Sequence, residues 1–181
     1  MEKVVLPEQR PRLTNEEVMA RCPWATFGKL KHRGPNIVTS LELDPAEMEK
    51  RNIHLQQKYA EIEEKEVRYE EIHCDDAEYL IVAFGSCARI AQKAMEEARA
   101  EGIKVGLLRP ITLWPFPSKA IAERSRQVKG ILTVELNAGQ MVEDVRLAVE
   151  CKVPVEYFGR LGGIVPDPDE VVTALKEKII K

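Results

Sequence analysis

Four polar side chains have types and positions that suit the binding of an anion: Ser86, Arg109, Asn137 and Arg160. Each lies at the end of a short apolar run of the kind that forms a buried strand in a parallel sheet. The carboxyl ends of parallel strands share one edge, where α/β proteins bind their ligands. The sequence therefore allows an anion site formed by these side chains, although turns and helix starts use the same residue types.

Gly85 and Ser86 connect a predicted strand to a predicted helix, where a glycine can bring a phosphate close to the helix N-terminus. Neither the GxGxxG fingerprint nor the GxxxxGK[ST] phosphate loop is present. Ser86 is a favourable N-cap residue, which explains the pair without a ligand. We therefore expect Gly85–Ser86 to start a helix on a supporting domain.

Residues for nucleophilic or metal chemistry are poorly placed. The run FGSCAR departs from the GxSxG elbow of hydrolases because Ala88 replaces the second glycine. The three histidines precede the strand–helix region at positions 32, 54 and 73. The cysteines form no CxxC pair, so we predict plain thiols rather than a zinc or iron–sulfur site; they are Cys22, Cys74, Cys87 and Cys151. We predict no catalytic, cofactor-binding or metal-binding residue.

Two loops suit docking better than catalysis. LRPITLWPFP (residues 108–117) has three prolines that stiffen its path, and it carries Arg109, Trp114 and Phe116, which are typical interface residues. FGRLGGIVPDP (158–168) places Arg160 beside three glycines, which would let the backbone approach a partner or an anionic group. For this second loop, simple turn formation is the alternative.

The elements that would position these loops alternate between strand and helix patterns from about residue 78. Four apolar runs, continuous enough for strands buried on both faces, are each followed by a helical pattern. This alternation predicts an α/β fold, a three-layer α/β/α sandwich with a mostly parallel sheet. We assign residues 75–181 to this domain.

The chain before this domain has a different character. Residues 1–43 form an irregular arm in which prolines exclude long helices, yet apolar residues such as Trp24, Phe27 and Val38 call for a surface to pack on. That surface is either their own domain or an absent partner. Residues 44–74 are predicted to be a charged amphipathic helix and a linker, with Asp44 as the N-cap and helix residues to about position 65.

Composition limits the classes of partner and the cellular compartment that we expect for this protein. A formal net charge of −3 over 181 residues gives no reason to expect nucleic acid or an anionic membrane surface. No run approaches the roughly 18 apolar residues of a membrane span. The N-terminal residues lack the apolar core of a signal peptide. We therefore expect a cytoplasmic protein.

The same loops carry a resemblance. The runs LIVAFGSCARIA, VGLLRPITLWPFP, ILTVELNAGQMVEDVRLAV and PVEYFGRLGGIVPDPDEV resemble the C-terminal domain of the alpha subunit of 2-oxoacid:ferredoxin oxidoreductases. LRPITLWPFP and NAGQMVEDVR are the most specific parts. NIHLQQKYAEIEEKEVRYEE and PWATFGK, followed by HRGPN, are also similar to that subunit, particularly to its 2-oxoisovalerate type. The resemblance covers nearly the whole chain.

This resemblance implies a transketolase C-terminal-like domain whose mostly parallel sheet has five strands. Four strands are predicted from 79 to 159, so VRYEEI or a segment near the C-terminus is expected to supply the fifth. The family decarboxylates a 2-oxoacid on thiamine diphosphate, forms an acyl-CoA and passes electrons to ferredoxin through iron–sulfur clusters. The family's diphosphate–Mg motif, its pyrimidine domain and iron–sulfur cysteine runs have no counterpart in this sequence.

Thiamine diphosphate, Mg and the clusters are therefore expected on other subunits, and ferredoxin is expected to be reached through the complex. Met1 is expected to be an internal methionine of a longer subunit, or the start of a truncated or split one. The first hypothesis is a structural and interface portion of the alpha subunit that is inactive alone. The alternatives are a free-standing module that binds an anion or small ligand, and an assembly protein with no enzyme behind it.

Overall fold

The computed structural model describes residues 8–25, 34–35 and 39–180. The chain divides into two compact units, Met1–Glu49 and Lys50–Lys181. The first contains the short helix α1 (Asn15–Arg21), which begins with a capping box between Thr14 and Glu17. The predicted arm therefore includes one short helix. Phe27, Leu30, Ile37 and Val38, which the sequence marked as apolar arm residues, lie outside the described residues.

Helix α2 (Pro45–Lys65) confirms the predicted helix start. The Asp44 carboxylate accepts hydrogen bonds from the backbone N–H groups of Ala46 at 2.8 Å and Glu47 at 3.2 Å. No residue of α2 is fully buried. Its residue spacing predicts an apolar stripe of Met48, Leu55, Tyr59 and Ile62, of which Tyr59 is exposed and the other three are half-buried.

The second unit continues as alternating strands and helices. The strands are β1 (Tyr69–Ile72), β2 (Tyr79–Ala83), β3 (Val105–Pro110), β4 (Ile131–Glu135) and β5 (Val155–Gly159). The helices are α3 (Gly85–Ala100), α4 (Ser118–Ser125), α5 (Met141–Val149) and α6 (Pro168–Leu175), which a π-helical turn extends over Lys176–Ile180.

The five strands form one sheet in the order β1-β3-β2-β4-β5. Strands β2 to β5 are parallel, and β1 pairs antiparallel with β3, placing Tyr69 opposite Pro110. Helices α3 and α6 pack together, as do α4 and α5. The predicted three-layer α/β/α sandwich is confirmed, and the expected fifth strand is the one within VRYEEI.

Two apolar cores lie on opposite faces of the sheet. One holds α3 and α6, with Ala91, Ala94 and Ala98 wholly buried so that α3 can approach the sheet closely. The other holds α4 and α5, with Ile121 and Val145 wholly buried. Both faces of the sheet are thus covered by the chain's own helices, as a parallel sheet requires.

The lateral edges of the sheet are also protected. At one edge, β1 is fixed by Arg124 of α4, whose Nε and Nη2 donate to the Glu71 carboxylate at 3.0 and 2.6 Å. At the other edge, Arg146 donates to the Val155 carbonyl at 3.2 Å and Lys178 to the Tyr157 carbonyl at 2.8 Å. Arg146 and Lys178 thus occupy carbonyls of β5 that could otherwise pair with another chain, whereas Arg124 contacts the side chain of β1.

Candidate functional site at the carboxyl edge of the sheet

The loops that follow β2, β3, β4 and β5 meet at the carboxyl edge of the sheet, because these strands are parallel. The chain leaves β2 toward β3 on one side and leaves β4 toward β5 on the other. The crevice between β2 and β4 is therefore the topological switch point, where α/β proteins usually bind ligands. It is bordered by Gly85–Ser86 and by residues 136–140.

Gly85 and Ser86 form the first turn of α3, but Ser86 is not its cap. The N-cap position is Phe84, and no side chain caps this end. The helix begins two residues earlier than predicted, at Gly85, which adopts a φ of +56° that glycine tolerates and other residues rarely do. The prediction that Ser86 caps the helix is therefore wrong, whereas the prediction that the pair starts a helix is confirmed.

Glu135 occupies the position at which an anion would bind. Its carboxylate is fully buried and accepts hydrogen bonds from the backbone N–H groups of Gln140 at 3.1 Å, Met141 at 2.8 Å and Val142 at 2.9 Å. These donors form the start of α5, where the helix dipole also favours negative charge. The protein thus fills this helix N-terminus with its own carboxylate.

Asn137 shapes the loop after β4. Its side-chain oxygen accepts a hydrogen bond from the Gly139 N–H at 2.7 Å, and its backbone carbonyl accepts one from the Tyr157 hydroxyl. Burial, and then the charge of Glu135, raise the pKa of Tyr157. The same two causes raise the pKa of the Cys87 thiol. Both groups therefore stay protonated near neutral pH, and Tyr157 acts as a hydrogen-bond donor.

The two arginines of the suggested anion site already have carboxylate partners. Arg109 donates from Nη1 to Glu70 of β1 at 3.1 Å. Arg160 contacts Glu170 of α6 through Nη2, and through Nε at 3.4 Å. With Asn137 turned back on its own loop, the geometry gives no support to an anion site formed by Ser86, Arg109, Asn137 and Arg160.

The loop after β3 is rigid and presents an aromatic side chain. Thr112 accepts a hydrogen bond from the Arg68 N–H at 3.0 Å and donates one to the Pro115 carbonyl at 2.9 Å. Trp114 is 55% exposed, and its ring meets the Tyr59 ring of α2 edge-on at 5.6 Å. Phe116 is half-buried against the core beneath α4 and α5, so it anchors this loop from below.

The donor sets described here do not fit a diphosphate and its metal ion. No group of three His, Cys, Asp or Glu side chains within the described ranges is arranged to hold a metal. The helix N-terminus after β4 is closed by Glu135. One shallow cavity lies at the opposite end of the sheet, between the last turn of α5 and the start of β5, and is lined mainly by apolar atoms. None of the helices in the described part has both the length and the apolar character needed to cross a membrane.

Residues 77–171 match the family model described as pyruvate:ferredoxin oxidoreductase core domain II. The matched region contains the parallel strands and the loops of the carboxyl edge. The chain belongs to this family. The domain II match begins just after β1, so the antiparallel strand and α2 precede it.

Comparison with known proteins agrees with this family. The chain is 49% identical over 165 residues to the ketoisovalerate oxidoreductase subunit VorB of Methanothermobacter thermautotrophicus, covering 90% of this chain and 46% of that protein. The chain therefore spans about half the length of this relative.

Two solved structures share the fold of the domain. A 2-oxoglutarate:ferredoxin oxidoreductase from Magnetococcus marinus superposes with a TM-score of 0.68 at 24% identity, covering 81% of this chain and 27% of that one. A split-gene transketolase, described as an inactive beta4 tetramer, superposes with a TM-score of 0.54 at 22% identity, covering 61% and 40%. The expected likeness to transketolase domains is thereby confirmed at the level of fold.

Proposed function

We propose that this chain is a structural and interface portion of the alpha-type subunit of a thiamine-diphosphate-dependent 2-oxoacid:ferredoxin oxidoreductase. The complete enzyme would decarboxylate a branched-chain 2-oxoacid oxidatively, release an acyl-CoA and transfer electrons to ferredoxin. The observation that carries the proposal is the 49% identity to a ketoisovalerate oxidoreductase subunit over 90% of the chain.

The geometry of the carboxyl edge supports a role in assembly. Three charged groups of its loops are engaged within the chain: Arg109 with Glu70, Arg160 with Glu170, and Glu135 with the start of α5. Such engaged groups hold loops in place but are not available to take up a proton or a phosphate. The chain alone is accordingly proposed to be inactive.

The cofactors belong to other parts of the proposed complex. Thiamine diphosphate with Mg would be bound by a thiamine-binding subunit, and iron–sulfur clusters by a further subunit that passes electrons to ferredoxin. Within the proposed complex, residues 75–181 are the transketolase C-terminal-like domain. Residues 44–74 form a connecting helix and linker, and residues 1–43 form an arm.

The test is to tag the chain in its source organism, purify it without oxygen, and identify the bound proteins by mass. Dye reduction is then measured with 2-oxoisovalerate, CoA and thiamine diphosphate, and 2-oxoglutarate and pyruvate serve as competing substrates. We expect oxidoreductase subunits in the purified material and the highest kcat/KM for 2-oxoisovalerate. The recombinant 181-residue chain, assayed in parallel, should reduce no dye.

Activity with another 2-oxoacid would correct the substrate but keep the enzyme class. A tagged chain that is recovered without any thiamine- or cluster-containing protein would refute the proposed function.

A further inference from the structure

Exposed apolar side chains are concentrated at the carboxyl edge of the sheet. Nine large apolar side chains are exposed in residues 69–180, and only Leu147 lies away from this edge. The other eight are Tyr69 at the start of β1, Ile111, Leu113 and Trp114 after β3, Leu136 after β4, and Leu161, Ile164 and Val165 after β5. Apolar side chains exposed singly are normal, but eight at one edge mark an interaction surface.

The rest of the sandwich offers no comparable surface within the described residues. Both faces of the sheet are covered by helices, and at the lateral edge formed by β5 two strand carbonyls are occupied by Arg146 and Lys178. The carboxyl edge is therefore the part of the domain that gains most from being covered.

The loops of this edge are held in place before any partner arrives. The loop after β3 is fixed by the hydrogen bonds of Thr112, the loop after β4 by the Glu135 carboxylate, and the loop after β5 by the contact of Arg160 with Glu170. A preorganised surface loses little conformational entropy on binding, which favours a stable interface.

The charge at this edge indicates the chemistry of the partner. The arginines of its loops, Arg109 and Arg160, are each paired with a glutamate of the same chain, so these loops present little free positive charge to an anionic partner. The matching surface should therefore be apolar and close to neutral, like the buried centre of a permanent interface.

We propose that the carboxyl edge docks onto the half of the alpha-type subunit that this chain does not span, and that the apolar side chains after β3, β4 and β5 form the contact. The chain covers 46% of the ketoisovalerate oxidoreductase subunit, so the relative has an equal or larger part still to be accommodated. This inference rests on the proposed function and adds to it the contact surface and its occupant. Trp114, which already packs against Tyr59, lies at the centre of the first loop.

The experiment compares backbone hydrogen exchange in two samples: the assembled enzyme, purified through a tag on this chain, and the same 181 residues produced alone. We expect exchange in residues 111–117, 136–140 and 160–167 to be at least about tenfold slower in the assembly. Exchange around Leu147 should be the same in both samples. Amine cross-linking from Lys119, which is exposed at the start of α4, then identifies what covers the edge.

Matched leucine substitutions test the energetics. Leu161→Asp and Leu113→Asp place a charge in the proposed contact, whereas Leu147→Asp places the same charge on the exposed last turn of α5. We expect the first two to increase exchange in the three loops of the assembly by at least about tenfold and Leu147→Asp to leave it unchanged. Equal thermal unfolding midpoints of the three isolated variants would show that folding is intact.

Each other outcome is decisive. If the assembly contains the oxidoreductase subunits but the three loops exchange as fast as in the chain alone, the docking surface is wrong and the proposed function stands. Cross-links to a second copy of this chain, or to a different subunit, would show that the occupant is wrong. Loss of loop protection with Leu147→Asp as well would show that the effect is not specific to the carboxyl edge. Absence of every oxidoreductase subunit would refute the proposed function itself.

Discussion

The Glu135 carboxylate is the side-chain group that organises the switch point, because it binds three consecutive backbone N–H groups at the start of α5. Glu135→Ala would leave these buried donors without their charged acceptor. We expect this substitution to lower the free energy of unfolding by about 3 kcal/mol, since hydrogen bonds to charged groups each contribute about 1.5–3 kcal/mol and water can replace part of the loss. Urea denaturation measures the difference.

Glu143→Ala is the matched control, because Glu143 lies in the first turn of the same helix but is exposed. Its loss should cost no more than about 0.5 kcal/mol through the helix dipole. Equal destabilisation by the two substitutions would show that the buried carboxylate has no special role.

Because of Cys74, the free energy of unfolding is expected to depend on pH in the alkaline range. Burial, followed by the negative charge of Glu71, raises the pKa of its thiol from the ordinary value of 9.0 to about 11. Between these values the unfolded chain loses the thiol proton while the folded chain keeps it, so stability falls as the pH rises. We expect the free energy of unfolding to decrease from pH 9 toward pH 11, and to decrease less steeply in Cys74→Ala.

Cys151→Ala serves as the control for this pH dependence because Cys151 is exposed. This variant carries the same Cys→Ala substitution away from the buried thiol. Cys87, Tyr157 and Lys129, whose pKa values are also raised, are expected to contribute to the slope that remains in Cys74→Ala. Identical slopes in Cys74→Ala and the wild type would contradict this assignment.

At the scale of elements, β1 depends on α4 for its attachment. Glu71 and Arg124 form a two-point contact whose side chains are only 25% and 22% exposed. We expect a double-mutant cycle with Glu71→Ala and Arg124→Ala to give a coupling energy of about 1–2 kcal/mol, because partial burial limits solvent screening. The same cycle on Glu78 and Lys129, whose side chains are 42% and 64% exposed, should give a smaller coupling energy because solvent screens this pair more strongly. Equal coupling in both pairs would mean that β1 is held by its strand pairing alone.

The parallel strands could be predicted from sequence because each is a continuous apolar run. Val105–Pro110 and Ile131–Glu135 are buried almost throughout. Strand β1 gives a much weaker signal because Glu70 and Glu71 lie within its four residues. The sequence therefore predicts β1 only as one of two candidates for the fifth strand, beside a segment near the C-terminus. An edge strand needs no continuous apolar run because one of its sides is not paired.

The site was harder to predict because its interactions join residues across turns. Ser86 was predicted to cap α3, but the helix begins at Gly85, so Ser86 lies inside its first turn. The sequence predicted that Glu135 ends a strand, and its contact with residues 140–142 was missed. The available signal was a carboxylate at the end of a buried strand, a few residues before a helix that lacks a Ser, Thr or Asp cap. The interface role of Trp114, inferred from its residue type, stays a prediction, whereas the engagement of Arg109 and Arg160 with glutamates depends on tertiary packing.

For the whole molecule, Trp114 reports on assembly through its fluorescence. The chain has two tryptophans, so Trp24→Phe leaves Trp114 as its single emitter, and subtracting the emission of the same assembly with Trp114→Phe removes the contribution of other subunits. We expect its emission maximum to lie at a shorter wavelength in the assembled enzyme than in the chain alone, because docking removes a 55% exposed indole from water. Iodide quenching should weaken in the same comparison. Unchanged emission and quenching would place Trp114 outside the contact.

The buried Glu135 carboxylate at the switch point also means that a single substitution would create an anion-binding site. In Glu135→Ala, three convergent N–H groups would face a space the size of a small carboxylate, at a helix end that favours negative charge. Formate or acetate added to this variant should therefore restore part of its lost stability, in proportion to the logarithm of concentration, while chloride at equal ionic strength should not. A supporting domain and an anion-binding domain would then differ, in this architecture, by whether the polypeptide supplies its own ligand.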